Sequence, residues 1–441
     1  MTRTWDMYKE GSRRCHVQHP FLASQSQLQK VIAANHEALS IAGKPETISL
    51  ALGDPALDGN LPPPPIFDTA LKEAIASEKC NGYTSSIGLE STRAAVADYW
   101  TRDFAPSLKD SANPITANDV VLTSGTSDAI TIMFGAIAGP GDRILLPEPY
   151  FPRFELTVGY YNIEPLYYRC DPEHDWEVDL PALRAQVEAN TGKPIKTIVL
   201  NNPSNPCGSN FSRSHVEDII KLCEELDLPI ISDEIYAGIT FTVPLEEGSE
   251  APTASPPFTS VADIASDLPR FITAGLSKIF CVPGERVGWI MLIDPAKRAQ
   301  RVMTGVRSLT ARYLLPNHLV QVATTAMLPH VNQSCYDYAN RILQRNSIDM
   351  YHALRKTGVL QPVVPAGGMF MSVLLKPELL KEEVQDGVRF AERLAAEENV
   401  LVFPGEPFRM PAALRLTISR PPEVIEEALR RIIDFCERYK K

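Results

Sequence analysis

The chain has 441 residues, 44% of them hydrophobic and 22% charged, with a net charge of −11. That length admits about two or three packed domains, and the negative balance argues against nucleic acid or an anionic membrane as partner. No apolar run approaches the roughly 18 residues of a membrane span. The eight cysteines are scattered, with no CxxC pair and no metal-ligand spacing, as suits reduced thiols in a cytoplasmic protein. The opening stretch MTRTWDMYKEGSRRCHVQHP lacks the apolar segment of a secretory signal.

In chain order, the proline-dense run from Asp58 to Asp68 reads as an extended lead into a helix. Val120 to Leu122 reads as a strand, followed by the turn Ser124, Gly125, Thr126 and an apolar helix ending near Gly139 and Pro140. Ile144 to Leu146 is the next strand, expected to stop at Pro147 and Pro149 just before Tyr150 and Phe151. Thr197 to Leu200 leads into the turn NNPSNPCG and a helix capped by Ser212. Leu228 to Ile231 runs up to Asp233 and Tyr236, and the run FIT runs up to Ser277 and Lys278. VGWIMLI is a further strand. Runs apolar throughout, alternating with helices, indicate an α/β architecture with a doubly wound, mostly parallel sheet. Glu246 to Ser260 reads as an exposed, mobile loop. Beyond about residue 330, charged helices surround short strands at GGMFMSVLL, VLVFP and LRLTIS, and an amphipathic helix closes the chain. The expected division is an N-terminal segment (1–60) contributing to a small α+β domain, a large domain (61–325) and the small domain proper (326–441).

Ligands of such sheets bind outside the carboxyl ends of the strands, and the polar residues expected there form one set. Ser124, Gly125 and Thr126 open a helix and make a phosphate cradle. A carboxylate as buried as Asp233 requires a cation or several donors. Tyr236 can reach the same ligand, and Phe151 offers a ring to stack on. Lys278, placed away from water, can keep its amine neutral and nucleophilic. Each has an ordinary use alone: helix capping, turn formation, ring packing, or a lysine stem reaching out to solvent. Together they match pyridoxal phosphate. That cofactor needs a lysine for its aldehyde, a carboxylate for its ring nitrogen, donors for its phenolate oxygen, an aromatic face and a phosphate site.

The segments NNPSNPCGSNFS, SDEIY and VPGERVGW carry a family resemblance that runs from about ISLALGDPALDGNLP to the C-terminus. The chain resembles the class I, fold-type I pyridoxal 5'-phosphate aminotransferases. The resemblance implies that Lys278 carries the cofactor, Asp233 pairs with its ring nitrogen, Asn205 and Tyr236 bond its ring oxygen, and Phe151 stacks on its ring. It further implies phosphate contacts from Gly125, Thr126, Arg286 and, more weakly, Ser277. Tyr83 is implied to reach the neighbouring site of a homodimer. Arg415 is implied to bind the substrate α-carboxylate, with the Gly53 backbone close by. The implied reaction moves an amino group from an aromatic L-amino acid, tyrosine first, to a 2-oxo acid such as pyruvate or 2-oxoglutarate. Alanine as donor, β-elimination from a cysteine conjugate, and a non-enzymatic binding role are the rival readings. Two residues depart from the pattern. Gly275 stands where many relatives place a phosphate-binding serine, and Glu285 stands where the tyrosine-specific branch commonly has tryptophan.

Overall fold

The computed structural model describes residues 47–190, 192–246, 256–312, 314 and 316–441. The first 46 residues and most of the expected mobile loop lie outside the described residues. The order opens with strand β1 (Ile48–Ser49) and helices α1 (Pro65–Ala76) and α2 (Glu90–Asp103). There follow β2 (Val120–Thr123), α3 (Thr126–Ile137), β3 (Arg143–Glu148), α4 (Arg153–Tyr160), β4 (Glu164–Asp171), β5 (Glu177–Val178) and α5 (Leu180–Ala189). Next come β6 (Ile195–Asn201), α6 (Arg213–Glu225), β7 (Ile230–Asp233), β8 (Arg270–Gly275), α7 (Leu276–Ile279) and β9 (Gly288–Ile293). Helices α8 (Gln300–Thr310), α9 (His318–Met327) and α10 (Gln333–Lys356) lead to β10 (Leu360–Pro362) and β11 (Phe370–Leu375). The chain ends with α11 (Gly387–Glu398), β12 (Val400–Leu401), β13 (Phe403–Pro404), β14 (Ala413–Thr417) and α12 (Pro422–Tyr439).

The large sheet has the order β2-β9-β8-β7-β6-β3-β4-β5. Its central strands from β8 to β4 are parallel, while β9 pairs antiparallel with both β8 and β2. Successive side chains of a strand face opposite sides of the sheet, and here both sides are apolar. Leu122, Ile272 and Met291 pack on one face with Trp100 of α2, and Val121, Phe271 and Ile290 on the other with Met133 and Phe134 of α3. The smaller sheet, order β10-β11-β14-β13, is antiparallel. Strand β1 pairs with β12, and Leu50 exchanges backbone bonds with Leu401 and Thr417, which ties the described N-terminal segment to this sheet.

Three expectations are corrected. Strand β3 does not stop at Pro147 but pairs with β4 as far as Glu148. Its ladder with β6 is recorded only through Leu145, so the missing N–H of Pro147 falls where the strand has one neighbour. The boundary at 325/326 falls inside α9, whose Val320, Ala323 and Met327 pack in the core of the large sheet. That core extends to Tyr336 at the start of α10. Finally, the end of the expected mobile loop is anchored: Ser260 is buried, donating to Glu234 at 2.6 Å and accepting from the Trp100 indole at 3.2 Å.

Candidate active site

The carboxyl ends of the parallel strands converge on a cavity of about 210 Å³, whose wall includes Thr126, Phe151, Asn205, Asp233, Tyr236, Ser277, Lys278 and Arg286. Topology puts them there. Asp233 is the last residue of β7, Lys278 sits in the turn of helix that follows β8, and Thr126 opens α3 directly after β2.

The electrostatics of the cavity are inverted relative to water. Asp233 is 2% exposed, and its Oδ1 accepts from the Ile235 N–H at 3.3 Å. Burial pushes its carboxyl up to about 7, against that hydrogen bond and with help from the neighbouring charge of Glu234. Burial pulls the Lys278 amine the other way, down to about 8, with Asp54 opposing. The Lys278 Nζ donates to the backbone oxygen of Gly53, which places the predicted glycine directly at the site. Burial also raises the Tyr236 hydroxyl, against the pull of Arg415.

At the helix end, Gly125 takes φ +78°, a conformation that L side chains rarely adopt. A Cβ there would stand 2.5 Å from Nη2 of Arg286. The first-turn N–H groups of a helix have no intrahelical acceptors. In α3, the Gly125 oxygen takes the N–H groups of Asp128 and Ala129, leaving Thr126 and Ser127 at the cavity wall. The Thr126 hydroxyl is buried without a partner. Arg286 closes this end, its Nη1 donating to Pro283 O at 3.0 Å and its Nη2 to Ser124 O at 2.9 Å. Gly275 has a steric reason: a Cβ there would meet Val287 O at 2.6 Å and the Thr126 hydroxyl at 2.9 Å. A serine does not fit at this junction.

Arg415 approaches from the smaller sheet. Its Nη1 donates to Asn205 Oδ1 at 3.1 Å and its Nη2 to Ala51 O at 2.7 Å, while Nε has no partner among the described residues. Its guanidinium lies 4.0 Å from the ring of Phe370, 4.8 Å from Phe408 and 4.9 Å from Phe403. Burial lowers it to about 10. A guanidinium enclosed by rings, with no carboxylate paired to it among the described residues, has the chemistry to take a carboxylate ligand.

Tyr83 stands apart: it is 92% exposed and outside the cavity wall of its own chain. The ring cage of Phe370, Phe403 and Phe408 was missed by sequence reasoning. Its signal is cross-strand pairing, since Phe403 is the direct partner of Arg415. Asn201 was noted only as a turn former, yet its Oδ1 holds the Asn205 N–H at 2.8 Å and it also lines the cavity.

The donor set fits pyridoxal phosphate: a buried carboxylate for a protonated ring nitrogen, an amine lowered to about 8, and, among the described residues, an orphaned hydroxyl at the N-terminus of α3. Fold and site together define a pyridoxal-phosphate enzyme of fold type I. The chain belongs to the family of aminotransferases class I and II, whose profile matches residues 45–432, and the cofactor of that class is pyridoxal 5'-phosphate. It is similar to tyrosine aminotransferase of Mus musculus, 36% identical over 393 residues, covering 89% of this chain and 81% of that one. Among solved structures it superposes on tyrosine aminotransferase from Leishmania infantum with a TM-score of 0.82 at 36% identity, covering 95% and 98% of the two chains. Alanine aminotransferase from Pyrococcus furiosus gives 0.83 at 26% identity, with the same coverage.

Proposed function

We propose that this aminotransferase takes an aromatic L-amino acid, tyrosine first, as donor and a 2-oxo acid such as pyruvate or 2-oxoglutarate as acceptor, in a ping-pong cycle. The observation that carries the reading is Arg415, a buried cation caged by three rings and lacking an acid partner, one hydrogen bond away from the cofactor-side Asn205. Relatives named tyrosine aminotransferase at 34–36% identity support the choice of donor.

In this reading Gly125, Thr126, Ser277 and Arg286 would hold the cofactor phosphate, Phe151 would cover its ring, and Asn205 and Tyr236 would bond its ring oxygen. When bound, the cofactor supplies an electrophilic aldehyde and an electron-accepting ring. Asp233 keeps the ring nitrogen protonated. Arg415 would grip the substrate α-carboxylate and so orient the amino acid in the cavity that Lys278 lines. With the cofactor in place, the Lys278 amine, lowered by burial to about 8, would serve as the base at the substrate Cα–H and as the acid that returns the proton. Two copies of the chain share sites, each lending Tyr83 to the other. A cytoplasmic location follows from the scattered cysteines; among the described residues no helix is long and apolar enough to cross a membrane.

The test is an absorption spectrum of the loaded protein before and after L-tyrosine, with no oxo acid present. The visible cofactor band is expected to convert, and Lys278→Ala is expected not to convert. A band that ignores tyrosine and responds to alanine overturns the donor alone. Pyruvate and ammonia released from a cysteine conjugate without acceptor would establish elimination instead.

A further inference from the structure

Arg409 lies one residue beyond Phe408, on the smaller-sheet side of the site, with a left-handed backbone at φ 60°. A non-glycine residue rarely holds that conformation unless its surroundings fix it. The turn Glu406–Phe408 fixes that backbone, with the Arg409 N–H donating to Glu406 O at 3.0 Å, and the side chain it presents makes two contacts to the large-sheet side. Its Nε donates to Glu148 Oε1 at 2.7 Å, and its guanidinium lies 3.9 Å above the ring of Tyr167. These partners are themselves held. Tyr167 stacks on Tyr150 at 5.6 Å, and both hydroxyls donate to Glu155. The Tyr150 N–H reaches back to Phe408 O at 3.4 Å. Glu148 ends β3, three residues before Phe151 in the cavity wall. On its other side Phe408 forms part of the ring cage of Arg415 and packs edge-on against Phe403 at 5.5 Å.

We infer that Arg409 is a positioning residue for amino-acid binding: its clasp on Glu148 and Tyr167 presses Phe408 onto Arg415 and so holds the carboxylate receptor in place. The inference rests on the proposed role of Arg415. The clasp adds side-chain contacts to the single backbone bond from Tyr150 to Phe408, and Arg409, Glu148 and Tyr167 lie outside the cavity wall. Releasing it loosens the cage and leaves the cofactor contacts on the large sheet intact. It therefore acts on KM for the amino acid, not on cofactor affinity. Arg409 and Glu148 are partly exposed, so the clasp is screened by salt.

The experiment uses the cofactor-loaded enzyme with L-tyrosine or L-alanine, whichever is turned over. Arg409→Gln and Glu148→Arg are each expected to raise KM on the order of fivefold, with kcat within about twofold and cofactor dissociation unchanged. The double variant E148R/R409E restores the ion pair with reversed charge but not the contact with the Tyr167 ring, and is expected to recover part of the loss. The ratio of variant to parent KM is expected to shrink at high salt. An unchanged KM in both singles, a double no better than the singles, or a parallel loss of cofactor affinity overturns the clasp. Arg415→Lys, run alongside, separates the two readings. If it raises KM while Arg409→Gln does not, the clasp alone fails. If it leaves KM unchanged, the role of Arg415 fails and the clasp falls with it.

Discussion

The side chains of Asn205, in the turn after β6, and Arg415, on β14, are joined by a 3.1 Å hydrogen bond from the guanidinium Nη1 to the amide oxygen. The amide on the cofactor side and the cation on the carboxylate side therefore cannot move independently. Asn205→Ala is expected to weaken cofactor binding and raise the amino-acid KM together, each by about 1–2 kcal/mol, the cost of an unsatisfied buried partner. Equilibrium dialysis and steady-state kinetics measure the two effects. A change in only one of them would show that the bond is not shared in the working enzyme.

Restoring a serine at Gly275 is expected to fail as a gain of phosphate binding. Its Cβ would collide with Val287 O, which is backbone and cannot swing away. Overpacking of this kind costs about 1–3 kcal/mol, visible as a lower melting temperature and weaker uptake of cofactor. Tighter uptake would overturn the steric argument.

Gly125→Ala strains a φ of +78° and crowds the Arg286 guanidinium at once. A loss of about 1–2 kcal/mol is expected in stability, with cofactor uptake weakened further as Arg286 is displaced. Unfolding in urea and titration with pyridoxal phosphate separate the two contributions.

The inverted protonation of the cavity gives the cofactor-free protein a valley in its stability profile. The folded state holds the Asp233 proton up to about 7, against about 4 for a free side chain. Its stabilising contribution is thus present at low pH and lost as pH rises through about 7. Glu234, also lifted to about 7 by burial, acts in the same direction. The Lys278 amine is depressed to about 8 against about 10.5, so its contribution is complete above the upper value and lost as pH falls through about 8. Urea unfolding at pH 5, 7.5 and 10 is expected to show the lowest stability in the middle. Asp233→Asn is expected to flatten the acidic side of the valley, and Lys278→Met the alkaline side.

How far the sequence foretold this follows from the range of each interaction. The strand ends were legible because burial on both faces leaves uninterrupted apolar runs, and polar residues just past such runs stand out: Thr126, Asp233, Lys278. The division at 325/326 was misplaced because charge patterning describes the exposed side of a helix. The buried side of α9, with Val320, Ala323 and Met327, decides where it belongs. The ring cage of Arg415 was not legible at all. Phe370, Phe403 and Phe408 are ordinary core residues in sequence, and only the pairing of β11, β13 and β14, with the turn between β13 and β14, gathers them. The same holds for Ser260, whose polar neighbourhood in the chain suggested exposure while its hydroxyl is spent on Glu234.

The backbone oxygens of Ala51 and Gly53 hold the Arg415 and Lys278 side chains, from a segment laid down long before either of them. No fragment of the chain that lacks one end or the other can assemble the full receptor. A ligand needing both cations therefore binds only molecules in which early and late segments have already met, and stabilises them by mass action. The colour change that an amino acid produces on a cofactor seated there becomes a census of completed molecules. In a folding mixture it would rise last, after any signal that reports the large sheet alone.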